Sequence, residues 1–158
     1  MTTDTFDDMR DLYQEVILDH GRRPRHAKKL ECFDATAKGD NPMCGDRIQV
    51  WVKFSPDGAL AQTGFEARGC AISIASADLM AETVQGRSPA DTKALFAAFR
   101  ELARTGACPS CDPALAEPME RLAPLSGVHE YPSRVKCATL PWHALIAALD
   151  GAKETSSE

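Results

Sequence analysis

The apolar residues change rhythm along the chain. Between about Phe6 and His20, the residues Phe6, Met9, Leu12, Tyr13, Val16 and Ile17 recur every three or four positions, the spacing of an amphipathic helix. Gly21 and Pro24 mark its end. From Ile48 to Phe54 the period drops to two. Ile48, Val50, Val52 and Phe54 alternate with Gln49, Trp51 and Lys53, which predicts a half-buried strand. Ser55-Pro56-Asp57-Gly58 reads as a turn, and Leu60 to Arg68 returns as its hairpin partner. Glu31 to Lys38 is a weaker third strand.

After Cys70 the helical period returns. Ile72, Ala75, Leu79 and Val84 share a face, and Gly86 closes that helix. Ser88-Pro89-Ala90-Asp91 opens another, with a capping hydroxyl, a proline at the first helical position and a carboxylate near the positive helix end. Leu95, Phe96, Phe99 and Leu102 form its apolar stripe. Residues 105–124 are rich in Pro, Gly and Cys and read as an insertion with one short helix near Ala114 to Leu122. A last helix runs from about Cys137 to Leu149. Its start is set near Cys137 because Pro141 is tolerated only within a first turn. Strands followed by helices predict an α+β fold. Residues 1–150 form a single domain, and 151–158 form a disordered tail.

Composition narrows the class. The chain has 158 residues, 44% hydrophobic and 26% charged, enough to bury a core of its own. Its net charge of −5 argues against general binding of nucleic acid or an anionic membrane, both of which need a positive field. No apolar run approaches the roughly 20 residues that span a bilayer. The opening MTTDTFDDMR is acidic and lacks the apolar stretch of a secretion signal, so the expected location is cytoplasmic.

Cysteine changes the picture most. Six cysteines stand at positions 32, 44, 70, 108, 111 and 137. Without an export signal, thiols kept reduced for metal or catalysis are the better reading than disulfides. Cys44 and Asp46 lie in the loop before the alternating strand. Cys70 follows the hairpin and precedes a helix, and Cys137 stands at the expected start of the last helix. Such junctions expose thiolates and favour them electrostatically, and Gly45 and Gly69 let the backbone bend closely around a bound centre. Three thiolates and a carboxylate suit tetrahedral zinc, and the same set suits iron–sulfur. Residue types alone also allow cysteines that are buried simply as small apolar groups.

The order of motifs carries more information. The segments Asn41-Pro42-Met43-Cys44-Gly45-Asp46-Arg47, Gly69-Cys70-Ala71-Ile72-Ser73 and Lys136-Cys137-Ala138-Thr139-Leu140 resemble the three cysteine motifs of the IscU/SufU family. Tyr13 to His20 is similar to that family's first helix, and Leu125-Ser126-Gly127-Val128 to the segment before its third cysteine. Within the family the chain resembles the SufU branch. Lys136 stands where the IscU scaffolds carry a histidine, Tyr131-Pro132-Ser133-Arg134-Val135 replaces the twin-proline chaperone motif, and residues 105–124 match the SufU insertion.

The resemblance implies a small three-stranded antiparallel sheet, with the N-terminal helix and the C-terminal helices packed on one face. It implies a zinc-dependent sulfurtransferase with the metal held by Cys44, Asp46, Cys70 and Cys137. The donor would be a SufS-type, pyridoxal-phosphate-dependent cysteine desulfurase, with Cys44 as sulfur acceptor and downstream SUF scaffold proteins as the destination. The alternative is an IscU-like scaffold on which a [2Fe–2S] cluster forms transiently. A zinc-held thiolate attacks poorly, so Cys44 is expected to be a releasable ligand, with Asp46 as the one hard oxygen donor. Arg134, three residues before Cys137, is either a steadying group for an anionic persulfide or a solvated surface residue. The same two readings apply to Lys136. Cys108-Pro109-Ser110-Cys111 is either a redox-active or metal-binding pair or incidental to the insertion. The basic stretch Arg22, Arg23, Arg25, His26, Lys28 and Lys29 is either a solvated face or a docking patch.

Overall fold

The computed structural model describes residues 13–42, 45–108, 112–152 and 154–156. The predicted hairpin is its centre. Strand β2 (Asp46–Phe54) runs antiparallel to β3 (Leu60–Arg68), with Val50 opposite Phe65 and Trp51 opposite Gly64. Between them the Ser55 amide donates to the Ala59 carbonyl at 2.8 Å, closing the turn that Pro56, Asp57 and Gly58 predict. Strand β1 (Ala35–Asn41) pairs antiparallel with β2 on its other side. It starts at Ala35 rather than near Glu31. Asp34 fixes that end, since its amide donates to the Val52 carbonyl and its carboxylate accepts the Phe54 amide, each at 2.8 Å.

The sheet has four strands, not three. Strand β4 (Glu154–Ser156) lies parallel to β1, giving the order β3-β2-β1-β4. It comes from the tail read as disordered. The free edge of β1 presents a row of unpaired backbone groups, and a returning chain that bonds to them meets a need that polarity alone does not reveal.

Helix α1 covers residues 13–22, and the earlier part of the expected helix lies outside the described residues. Helices α2 (Ala71–Val84), α3 (Pro89–Thr105), α4 (Ala116–Leu122) and α5 (Pro132–Leu149) follow, with 3-10 segments at Pro113–Leu115 and Ala123–Glu130. Helix α3 begins as read: the Ser88 hydroxyl oxygen accepts the Asp91 amide at 3.1 Å, and Pro89 is the first helical residue.

The core forms where the inner sheet face meets the helices. Ile48, Val50, Val52 and Phe65 pack with Leu79, Met80, Leu95, Phe99, Leu140 and Trp142, all buried. Each such side chain contributes about 1.5–3 kcal/mol when removed from water. The insertion at residues 105–124 contributes to the core, because Leu122 is fully buried, as is Leu125 just after it.

The outer sheet face is partly covered too. Trp51 is buried there, and the chain between α1 and β1 runs across it. A Cβ at Gly64 would meet the Lys28 carbonyl at 2.3 Å, so only glycine admits this strap. The Lys29 ammonium sits 5.9 Å from the Trp51 ring centroid. Part of the basic stretch is therefore packing, not a free face.

Helix α5 departs from expectation. It starts at Pro132, five residues before Cys137, and Pro141 lies in its interior. Pro132 takes the first-turn role assigned to Pro141. An interior proline has no N–H for the carbonyl four residues back, here that of Cys137, at about 3 kcal/mol or more. Burial of Leu140, Trp142, Ala144 and Leu145 around it offsets that penalty. Among the described residues no helix is long and apolar enough to cross a membrane.

Candidate metal centre

Three of the four expected ligands converge. Asp46 opens β2, Cys70 caps the start of α2, and Cys137 lies in the second turn of α5. The antiparallel register sets the first two side by side, since Arg47 faces Arg68 and the hairpin ends there. One carboxylate oxygen and the two sulfurs all lie within 4.8 Å of one another. Asp46 Oδ1 accepts the Cys70 amide at 3.0 Å, and Oδ2 takes the Cys70 thiol at 3.8 Å. Cys44 lies outside the described residues, in the connection between β1 and β2 and two positions before Asp46.

Gly69 makes the approach of Asp46 to Cys70 feasible. Its φ of +150° is one that side chains with a Cβ rarely adopt. A Cβ there would fall 2.0 Å from Asp46 Oδ1. The carboxylate occupies the space that a side chain at position 69 would fill.

Asp46 and Cys137 are each only 2% exposed, and Cys70 is half-buried. Among the described residues no Lys, Arg or His pairs with Asp46. Burial pushes the Cys137 thiol well above the ordinary range, reinforced by its hydrogen bond with Asp46 and by the charge of Cys70. Cys137 therefore gains nothing from the helix start once expected beside it; its thiol is deep, whereas Cys70 does sit at a helix N-terminus. A buried carboxylate and two thiols without an internal cation form a donor set of the kind that binds soft or borderline metals. Tetrahedral zinc with bonds of about 2.0–2.3 Å sets its ligand atoms roughly 3.3–3.8 Å apart, so the observed cluster fits with a small contraction.

The other named residues stand apart from this cluster. Arg134 is exposed on the first turn of α5, and it forms no ion pair among the described residues. Lys136 is half-buried. Cys108 is in a disulfide, and Cys111 lies outside the described residues. Cys32 is a free, exposed thiol. Among the described residues no second group of His, Cys, Asp and Glu converges.

One polar network escaped the sequence reading. Asp78, fully buried in α2, accepts the backbone amides of Arg25 and His26, both at 2.8 Å, and pairs with His20 Nδ1. It holds the end of α1 and the strap against α2. The available signal was a carboxylate set directly among the apolar residues Ala77, Leu79 and Met80 of the helix, whereas Glu82 on the same helix is exposed.

Comparison with known proteins shows the family and the fold. The family model described as the NifU-like N-terminal domain matches residues 12–138. The iron–sulfur cluster assembly scaffold protein IscU of Streptococcus pyogenes is 36% identical over 138 residues, covering 87% of this chain and 82% of that protein. The zinc-dependent sulfurtransferase SufU of Bacillus subtilis is 33% identical over 134 residues, covering 85% of this chain and 86% of its own length. In structure, the FiSufU protein of Fervidobacterium islandicum AW-1 superposes with a TM-score of 0.76 at 28% identity, over 85% of this chain and 94% of that one. The chain belongs to the NifU-like N-terminal domain family, in the IscU/SufU group of iron–sulfur cluster assembly proteins.

Proposed function

We propose that this chain is a zinc-dependent sulfurtransferase that accepts persulfide sulfur from a SufS-type cysteine desulfurase and passes it toward SUF scaffold proteins. The observation that carries the reading is the convergence of Asp46, Cys70 and Cys137 beside the segment that bears Cys44. The name of the Bacillus subtilis relative supports both the metal and the reaction type.

Cys44, Asp46, Cys70 and Cys137 would hold the zinc. When bound, it keeps ligating thiols ionised and ties the hairpin to α5. The transfer itself belongs to Cys44. Its thiolate attacks the outer sulfur of the donor's persulfide, the sulfur–sulfur bond breaks, and the donor cysteine leaves as a thiolate. One sulfur–sulfur bond forms as one breaks, so no external oxidant or reductant is needed. Gly45, at φ +74°, gives the backbone a bend between Cys44 and Asp46 that other residues rarely adopt. Arg134, one turn before Cys137 and free of ion pairs among the described residues, is available to steady an anionic persulfide.

The test adds cysteine and a SufS-type desulfurase and follows alanine release. The intact chain should accelerate it, and Cys44→Ala should not. Full stimulation by Cys44→Ala would remove the proposal.

A scaffold for a [2Fe–2S] cluster is the second reading, favoured by the Streptococcus pyogenes relative at 36% identity. Lys136, where scaffolds of the family carry a histidine, weighs against it. Anaerobic purification separates the two: bound zinc without visible absorption supports the carrier, and a brown protein containing iron and sulfide supports the scaffold.

A further inference from the structure

A cleft of about 320 Å³ opens between α3, the 3-10 segment before α5, and α5 itself. Five basic side chains line it: Arg100 and Arg104 from α3, His129 from the 3-10 segment, and Lys136 and His143 from α5. No aspartate or glutamate lines it, in a chain whose net charge is −5. These residues are far apart in sequence, so the fold assembles the charge. Among the described residues none of Arg100, Arg104 and Lys136 forms an ion pair.

The charges act on one another. His143 has its pKa lowered, first by burial and then by Arg100, which disfavours its protonated ring. His129 Nδ1 donates to the Ser126 carbonyl at 2.7 Å, which leaves its Nε2 unprotonated when the ring is neutral. The C-terminal end of α3 favours Arg104, which lies in its last turn. Arg100 and Arg104 are four residues apart, so their guanidinium forks project from the same helix face. Two such forks and an ammonium suit the oxygens of a compact anion better than a single carboxylate. The volume lies at the small end of ligand sites.

We infer that this cleft binds a phosphate-type oxyanion, supplied either as free inorganic phosphate or as the phosphate group of a small phosphomonoester. The cleft shares no lining residue with the metal cluster, though Lys136 adjoins Cys137 in the chain, and the inference does not depend on the sulfur-transfer reading.

The test titrates the full chain near neutral pH at fixed ionic strength, with inorganic phosphate in one arm and glycerol phosphate in the other. The ring signals of His129 and His143 are followed by NMR. Both should shift with a common saturation curve, and the arm that saturates at lower concentration identifies the source. The Arg100→Gln/Arg104→Gln variant should bind about tenfold more weakly or worse, as loss of charge-assisted contacts implies. Both arginines are exposed, so the variant should fold, and its melting curve checks this. An Arg100→Lys/Arg104→Lys variant should retain part of the affinity. Failure of both arms to saturate, or undiminished binding by the glutamine variant, would overturn the inference.

Discussion

Asp46 and Asp78 are both buried carboxylates, and they end differently. Asp78 is enclosed by its own chain, with two backbone amides and the His20 ring meeting its oxygens. Asp46 receives one backbone amide and otherwise faces thiols. A buried anion needs hydrogen bonds or a counter-charge. For Asp78 the chain supplies them; for Asp46 it supplies one amide and two groups that add negative charge once ionised. The first arrangement is complete without a ligand; the second lacks the counter-charge that the proposed cation would supply. Burial and residue type alone do not separate a structural carboxylate from a metal ligand; the partners do.

The contrast breaks most sharply under metal removal. Chelation, or Cys137→Ala, should abolish stoichiometric zinc and destabilise the fold by several kcal/mol, on the order of 10 °C in Tm or more, because the ligands lie on three separate segments. Elemental analysis beside calorimetry measures both. An apo form that melts with the loaded form would deny that the centre joins the hairpin to α5. Asp46→Ala should lower Tm chiefly in the metal-loaded protein, since without metal the side chain keeps only the Cys70 amide and two thiols as partners.

Asp78→Ala should behave in the opposite way. It strands two backbone amides and the His20 ring, and should be destabilising by about 3–5 kcal/mol with or without metal. Denaturant unfolding of both forms measures this. A loss confined to the loaded protein would place Asp78 in the metal site after all.

Much of the architecture was legible because local signals agreed with tertiary demand. Alternation from Ile48 to Phe54 marked β2, and Ser88-Pro89 marked the start of α3. The order of motifs pointed to Asp46, Cys70 and Cys137, the three expected ligands that converge, while gaps of 26 and 67 residues between the cysteines at 44, 70 and 137 gave no local period to read. What escaped depended on contacts distant in sequence. The edge of β1 recruited β4 from a polar tail. Pro132, followed by a stretch buried enough to carry Pro141, moved the start of α5 back by five residues. Asp78 made sense only once the strap was laid against α2.

A smaller effect tests how closely Asp46 is held. Gly69→Ala sets a Cβ against the carboxylate and strains a positive φ, so it should be destabilising by about 1–3 kcal/mol and weaken zinc retention. Competition with a chelator reads the second effect. Alanine at position 69 with unchanged retention would mean that Asp46 reaches the metal by another path.

The smallest expected effect extends the comparison from carboxylates to the histidines near them. His20 has Asp78 as partner, whereas His143 has Arg100 nearby and no acid lining its cleft. The folded-state pKa of His143 lies below its ordinary value of 6.5. The unfolded chain therefore binds the proton more readily, so the favourable contribution is present above 6.5 and is lost as pH falls through the folded-state value. Burial is the first cause and the Arg100 charge the second, and His129, Arg104 and Lys136 line the same cleft. His143→Gln should flatten that part of the stability–pH curve. Calorimetric melts of the two proteins at matched ionic strength read the difference directly. An unchanged slope would mean that the His143 ring takes up its proton equally easily in the folded and unfolded chain.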